Sequence, residues 1–270
     1  MSGDPLTEPT VRAVRAASTP ERPARVALFP TCVADLATPG PAAAAVELLE
    51  ACGFEVVVPP AATCCGQPPL TSGFPGEARR LATHWLDTFG DAEAVVVPSG
   101  SCTAMVHHHY PRLLAGADLR RARDLAARTY ELSQFLVAFG ADLPLRLEAT
   151  VTYHDSCHMQ RALGEAAAPR ELLGRVEGLE LVEMADIDLC CGFGGTFATS
   201  FPEVSVAMAD ARLAQAVETG THLLVSSDAG CLLHLQGRAT AAGVPVRTRH
   251  LALVLRDALT SRKAPRDHAP

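Results

Sequence analysis

The sequence predicts an α/β fold built from two tandem, pseudo-symmetric half-domains, each with a mostly parallel sheet flanked by helices. Two observations carry this prediction. Apolar β-type runs alternate with Ala/Leu-rich helical stretches along the 270 residues. One cysteine pattern also occurs twice: a lone Cys, then Cys-Cys-Gly, then another lone Cys. Corresponding cysteines lie 125 to 129 residues apart, which indicates a duplicated domain.

The elements follow the same order in both halves. A β run leads to the first Cys, a helix follows, and a second β run leads to Cys-Cys-Gly. A longer helix then precedes a third β run, which ends in the loop with the last Cys, and helical signals resume. The ranges, first half and then second, are 26–29 and 150–154, 41–51 and 169–176, 54–59 and 179–184, 76–89 and 204–219, 94–97 and 222–226, and 103–110 and 232–239.

These elements set the expected domain boundaries. The first cysteine-rich domain spans 24–140 and the second spans 149–258, with a linker at 141–148. Residues 120–139 have a helical composition and are expected to form one helix. The ends, 1–23 and 259–270, are rich in Pro and polar residues and are predicted to be disordered.

Composition narrows the class of protein. The net charge is −7 and the basic residues are scattered, so binding to nucleic acid is not expected. No apolar run approaches the roughly 20 residues of a transmembrane helix, and no signal peptide is recognised. We therefore expect a cytoplasmic protein. Cytosolic thiols are usually kept reduced, so nine cysteines indicate metal or redox chemistry rather than disulfides.

Eight of the nine cysteines are predicted metal ligands, because each follows a β run and the carboxyl ends of parallel strands meet at one sheet edge. They are Cys32, Cys64, Cys65 and Cys102 in the first half, and Cys157, Cys190, Cys191 and Cys231 in the second. Four thiolates suit an iron–sulfur cluster or a structural zinc. Adjacent cysteines favour the broader multi-iron centre. Zinc in one or both sites, and dithiol chemistry, are the alternatives. Cys52 has no counterpart in the second half and is interpreted as a buried apolar residue.

Glycines and histidines complete the candidate sites. Gly66 and Gly192 allow the chain to turn so that neighbouring thiols reach one centre. Gly194 and Gly195 extend the second loop, whose N–H groups could hydrogen-bond cluster sulfurs. His154 and His158 flank Cys157 and are candidates to hydrogen-bond the ligands or relay protons. The alternative is that they are ordinary polar residues at a strand end.

These motifs resemble the paired cysteine-rich (CCG) domains of the heterodisulfide reductases, the glycolate oxidase iron–sulfur subunits and the lactate utilisation A group. The segments PSGSC (98–102), HDSCH (154–158), CCGFGGTF (190–197) and SDAGCL (227–232) are most similar to the lactate utilisation group. The chain lacks the ferredoxin segment of the glycolate oxidase subunits, which also favours that group. The resemblance covers about residues 24–258.

The resemblance implies an iron–sulfur electron-transfer subunit of a complex that oxidises L-lactate or a related 2-hydroxy acid. The implied cofactors are two [4Fe–4S] clusters, and the implied partners are a ferredoxin-type iron–sulfur subunit and a third small subunit. Membrane association would be peripheral, through those partners. No flavin motif or complete hydroxy-acid oxidation site is evident. The sequence leaves open whether the chain is an enzyme, and we expect an oxidoreductase subunit that is inactive alone. The alternative function is a redox-silent scaffold or regulatory subunit stabilised by zinc.

The chain departs from the fullest form of the family motif, in which each repeat ends in C-x-x-C and five cysteines hold an unusual cluster. The penultimate position is Ser99 in the first repeat and Asp228 in the second. We therefore expect four-thiolate clusters, without disulfide-reducing activity. Asp228 is a candidate oxygen ligand or hydrogen-bond partner in the second site.

Overall fold

The computed structural model describes residues 21–38 and 40–260, and it contains two four-stranded parallel sheets with the same strand order. This confirms the predicted α/β fold with two similar halves. The first sheet has the order β2-β1-β3-β4 and the second the order β6-β5-β7-β8. The strands are β1 (Arg25–Leu28), β2 (Glu55–Val57), β3 (Ala94–Val97), β4 (Thr129–Glu131), β5 (Arg146–Tyr153), β6 (Glu177–Leu181), β7 (Leu223–Ser226) and β8 (Arg247–His250).

Helices connect successive strands, as crossovers between parallel strands require. In the first half they are α1 (Cys32–Ala37), α2 (Pro41–Ala51), α3 (Gln67–Thr71), α4 (Pro75–Phe89), α5 (Gly100–Ala104), α6 (Tyr110–Leu113), α7 (Gly116–Ala126) and α8 (Leu132–Phe139). In the second half they are α9 (Ala167–Gly174), α10 (Thr196–Ser200), α11 (Pro202–Glu218), α12 (Ala229–Ala242) and α13 (Leu251–Thr260). Two π-helical turns, Met105–His109 and His158–Ala162, complete the set. None of the described helices has both the length and the apolar composition that crossing a membrane requires.

The two halves share one apolar core. Helix α2 of the first half packs on α13 of the second, and α8 packs on α9. Side chains of both halves, such as Leu48 and Leu255, belong to the same buried cluster. Each half also has an outer core of its own, around Trp85 in the first and around Leu213 in the second. Since apolar burial is the main stabilising term, we expect the halves to fold as one unit.

The structure corrects the prediction for residues 120–139, which do not form one helix. They contain the end of α7, strand β4 and helix α8. Thr129 and Tyr130 favour an extended backbone, and β4 pairs with β3 at the edge of the sheet. Glu131 then begins α8 with a capping box, because its side chain accepts from the Ser133 N–H while Gln134 bonds back to the Glu131 backbone.

The structured region extends slightly beyond the predicted domain limits. Strand β5 begins at Arg146, inside the predicted linker, and α13 continues to Thr260, two residues past the predicted end at 258. Arg22, within the predicted N-terminal tail, donates hydrogen bonds to the carbonyls of Cys52 at 2.7 Å and Phe139 at 3.1 Å. The rest of the predicted tails, 1–20 and 261–270, lies outside the described residues.

Candidate metal centres

The eight landmark cysteines lie just beyond the carboxyl ends of the strands. In the first half Cys32 begins α1 after β1, Cys64 and Cys65 lie in the loop between β2 and α3, and Cys102 lies in α5 after β3. The second half repeats this placement after β5, β6 and β7. Burial repeats as well, since the first and second cysteines of each set are half-buried and the last two are buried.

The four thiols of the first half form a continuous chain of contacts. Cys32 Sγ lies 3.7 Å from Cys64 Sγ. Cys64 is also within hydrogen-bond reach of Cys65, and Cys65 within reach of Cys102. Three loops that are distant in sequence therefore bring four sulfur atoms to one place.

The second half repeats this chain of thiol contacts. Cys157 contacts Cys190, and Cys190 contacts Cys191. Cys191 Sγ lies 2.9 Å from Cys231 Sγ. The ligand atoms of His154, Cys191 and Cys231 all lie within 4.8 Å of one another, and all three residues are buried. The second site thus contains a nitrogen donor as well as four sulfur donors.

Two glycines make the Cys-Cys turn in the same way. Gly66 has a φ of 91° and Gly192 a φ of 86°, a region that side-chain-bearing residues rarely adopt. A Cβ on Gly192 would also lie 2.5 Å from the Ser205 carbonyl oxygen. With this turn, the Gly66 N–H donates to Cys64 Sγ at 3.4 Å, and the Gly192 N–H donates to Cys190 Sγ at 3.4 Å.

The glycines that follow in the second loop lead the chain into the next helix. The next N–H to reach a sulfur is that of Phe193, which donates to Cys191 Sγ at 3.5 Å. Gly194 and Gly195 instead lead into α10, and their carbonyls accept from the N–H groups of Phe197 and Ala198. Their positive φ values of 52° and 63° turn the chain towards that helix.

In each site the surroundings of one cysteine stabilise its thiolate form. A hydrogen bond from the Cys32 thiol lowers the pKa of Cys64, and one from Cys157 lowers the pKa of Cys190. The hydrogen bonds from the N–H groups of Gly66 and Gly192 also lower these two pKa values. The pKa of Cys65 and of Cys191 is raised, first by hydrogen bonds with neighbouring thiols and then by burial. Since a metal binds the thiolate form, the other thiols would release protons when a metal binds.

The surroundings of the two sites differ in chemistry. The first site rests on an aromatic cluster in which Phe29 contacts Trp85 and Phe89 edge to face, with ring centroids 6.1 and 5.7 Å apart. Tyr110 Oη donates to the Cys65 carbonyl at 2.8 Å. In the second half the position of Phe29 is taken by His154. Counted from the start of α4 and of α11, the position of Trp85 corresponds to that of Arg212. The Nε of Arg212 donates to the carbonyl of Leu189, the residue before Cys190, at 3.0 Å.

The two positions that lack the family's fifth cysteine contact one another. Ser99 Oγ donates to Asp228 Oδ1 at 2.9 Å, and the Ser101 N–H and Oγ donate to the same oxygen at 3.0 and 2.7 Å. Burial alone would raise the pKa of Asp228, but Ser156, His158 and Ser101 together lower it. The carboxylate therefore joins the two halves, and it lies outside the group formed by His154, Cys191 and Cys231.

His158 forms a second contact between the halves. Its Nε2 lies 2.8 Å from the amide nitrogen of Gln67, which directly follows Gly66, and its Nδ1 lies 3.7 Å from Cys157 Sγ. If the amide donates to Nε2, the proton of the ring is on Nδ1 and faces the sulfur. Sequence reasoning missed Gln67, Ser101 and Arg212, because their roles depend on contacts that no local motif encodes.

The ninth cysteine lies apart from both sites. Cys52 follows α2 and is buried in the shared core, beside a cavity of about 280 Å³ that is also lined by Leu48 and Leu255. Burial raises its pKa, as expected of a thiol in apolar surroundings.

The two donor sets fit a resident metal centre. Each half offers four sulfur atoms linked in a chain of contacts at one sheet edge, a thiol with a lowered pKa, and an N–H that donates to that sulfur. These are the features by which proteins hold thiolate-ligated metals and tune them.

Comparison with known proteins agrees with the duplication. A family model described as "Cysteine-rich domain" (CCG) matches residues 26–107 and 151–236, one match in each half. "Lactate utilization protein A" of Halalkalibacterium halodurans is 46% identical over 235 residues, covering 86% of this chain and 96% of that protein. The protein of that name from Exiguobacterium sp. is 44% identical over 238 residues, covering 86% and 97%.

A solved structure shares the fold. It is titled "Crystal structure of a hypothetical protein from Helicobacter pylori", with a TM-score of 0.62 and 10% sequence identity. The similarity covers 88% of this chain and 49% of that one, so this chain spans about half its length. The repeated match and the identity over nearly the full length of the curated relatives show that the chain belongs to the cysteine-rich (CCG) domain family, among the lactate utilization A proteins.

Proposed function

We propose that the chain is an iron–sulfur electron-transfer subunit of a multi-subunit complex that oxidises L-lactate or a related 2-hydroxy acid. The relatives at 46% and 44% identity are named for lactate utilization. The observation that carries the proposal is the repetition of one arrangement, in which four thiols meet at a sheet edge and a glycine N–H donates to the same sulfur of the Cys-Cys pair.

In this proposal each half holds one [4Fe–4S] cluster through its four cysteines. The ligands are Cys32, Cys64, Cys65 and Cys102 in the first half, and Cys157, Cys190, Cys191 and Cys231 in the second. Such a cluster, when bound, accepts and releases single electrons. The protein supplies the thiolates, the N–H bonds that stabilise their charge, and a buried environment that sets the potential.

An electron-relay role agrees with the remaining chemistry of the sites. Asp228 has one oxygen engaged with Ser99 and Ser101, and His158 is engaged with Gln67. These groups hold the two halves together beside the thiols. We therefore place the oxidation of the hydroxy acid in a partner or at a site formed between subunits. The partners we propose are a ferredoxin-type iron–sulfur subunit and a third small subunit, in the cytoplasm.

A zinc-stabilised, redox-silent scaffold is the second candidate. Its support is the 3.7 Å distance between Cys32 Sγ and Cys64 Sγ. The edge of a tetrahedron with Zn–S bonds of about 2.3 Å is about 3.8 Å, so this pair matches zinc, whereas the 2.9 Å between Cys191 Sγ and Cys231 Sγ does not. The adjacent cysteines and the duplicated N–H to sulfur bonds favour iron–sulfur clusters.

Metal analysis of anaerobically purified protein distinguishes these candidates. We expect about eight iron and about eight acid-labile sulfide per chain, together with a cluster EPR signal after dithionite reduction. About two zinc per chain with almost no iron, and no EPR signal after reduction, would establish the scaffold and refute the electron-transfer proposal.

The ninth cysteine provides a matched control. Cys52 and Cys102 are both buried thiols of the first half, with 6% and 7% of their surface exposed. We expect Cys102→Ala to lose iron from the first half and Cys52→Ala to retain the full content. Equal iron in the two variants would show that Cys102 is not a ligand.

A further inference from the structure

His154 is a fully buried histidine without a hydrogen-bond partner on its ring. Its exposed fraction is 0%, and neither Nδ1 nor Nε2 has a hydrogen-bond partner among the described residues. Buried polar side-chain atoms are nearly always paired, because burial without a partner costs free energy. An imidazole with two unpaired nitrogens in this position therefore points to a further interaction.

The position does not require an imidazole for packing. Phe29 occupies the equivalent place in the first half: its N–H donates to the Val96 carbonyl at 2.9 Å, and the His154 N–H donates to the Val225 carbonyl at 2.8 Å. Both residues directly follow the inner strand, β1 or β5, that leads to the first cysteine of their half. The same fold thus accepts an apolar ring here, and only the second half has a nitrogen donor.

The imidazole lies among thiols that belong to the second site. Its ring nitrogen lies within 4.8 Å of both Cys191 Sγ and Cys231 Sγ. Its backbone is fixed by the bond to Val225 and by Ser226 Oγ, which donates to the His154 carbonyl at 2.9 Å. A neutral imidazole is a common metal ligand.

We infer that His154 supplies a nitrogen donor to the metal centre of the second half, whereas the donors of the first half are all sulfur. This inference rests on the proposed function, because it requires a metal centre at the second site. The two centres would thus differ in their donor atoms, with nitrogen only at the second.

Isotope labelling tests this inference in the intact protein. The chain is produced with ¹⁵N-histidine in an otherwise ¹⁴N background, purified anaerobically, reduced with dithionite and measured by pulsed EPR. We expect one ¹⁵N coupling of the size found for iron-bound histidine in Rieske-type centres. It should be lost in His154→Phe, which copies the residue of the first half. It should persist in His158→Phe, whose ring is next to Cys157, and in His234→Phe, whose Nε2 lies 3.2 Å from Ser205 Oγ.

The outcomes separate this inference from the proposal on which it depends. A protein with iron, sulfide and an EPR signal but only weak histidine coupling would overturn the inference, since the ring would then be a hydrogen-bond donor to sulfur at most. Loss of a strong coupling in His158→Phe would overturn it as well. Absence of iron and of any EPR signal would refute the proposed function itself. If His154→Phe does not accumulate, a strong coupling that survives both control variants still supports His154.

Discussion

The contact between Ser99 and Asp228 should be a main polar attachment between the halves. Asp228 is 3% exposed, and its Oδ1 accepts three hydrogen bonds from the first half, at 2.7 to 3.0 Å. The variant Asp228→Asn keeps an acceptor oxygen but removes the charge. A charged hydrogen bond contributes about 1 kcal/mol more than a neutral one, so three bonds give about 3 kcal/mol. Relief of the buried charge offsets part of that, and we expect a loss of about 2 kcal/mol.

Anaerobic urea unfolding measures this loss. The fluorescence of Trp85, the single tryptophan, reports on the first half, and far-UV circular dichroism reports on both. Coincident curves would justify a two-state treatment, and the shift of the midpoint multiplied by the m-value gives the change in unfolding free energy.

An exposed ion pair of the second half provides the control. Asp210 bonds Arg238 at 2.6 Å, but its side chain is 44% exposed. The variant Asp210→Asn should therefore cost less than about 1 kcal/mol. If Asp228→Asn is no more destabilising than Asp210→Asn, the contact between the halves does not stabilise the fold as we reason. The substitution Ser99→Ala should lower the unfolding free energy less in the Asp228→Asn variant than in the wild type, because the two residues interact.

Two further predictions concern buried polar groups. Burial raises the pKa of Glu131 from 4.5 to about 7. The contribution of the Glu131 carboxyl group to the unfolding free energy is therefore complete below pH 4.5. About 3 kcal/mol of it is lost as the pH rises through 7. In Glu131→Gln the unfolding free energy should fall less steeply between pH 5 and 8, and an unchanged slope would refute this. Tyr110→Phe removes the donor to the Cys65 carbonyl at 2.8 Å and should lower the unfolding free energy by about 1 to 2 kcal/mol. The same urea titration checks it, and an unchanged midpoint would show that this bond contributes little.

The duplication and the convergence of the cysteines could be predicted from sequence because they depend on local signals. β runs precede every landmark cysteine, and parallel strands bring their carboxyl ends to one edge. Strands β4 and β8 were missed because their sequences, TYE and RTRH, are mostly polar and contain no apolar β run. Their conformation depends on pairing with β3 and β7.

The relation between the halves could not be predicted in the same way. Ser99 and Asp228 were identified as the positions without a fifth cysteine, but their contact depends on how the sheets pack through α2, α8, α9 and α13. From the sequence, His154 was a candidate to hydrogen-bond the ligands or relay protons, because it lies near Cys157. Aligning it with Phe29 gives a stronger signal, because an apolar ring in one repeat and an imidazole in the other marks a change in chemistry.

The central claim is that the chain holds two separate thiolate-bound clusters, one in each half. The most direct test is the iron and sulfide content of two single variants, Cys64→Ser and Cys190→Ser, compared with the wild type. We predict about eight iron in the wild type and about half that in each variant, with the remaining EPR signal different in the two. Loss of all iron from either single variant, or full iron in both, would contradict two independent four-thiolate centres.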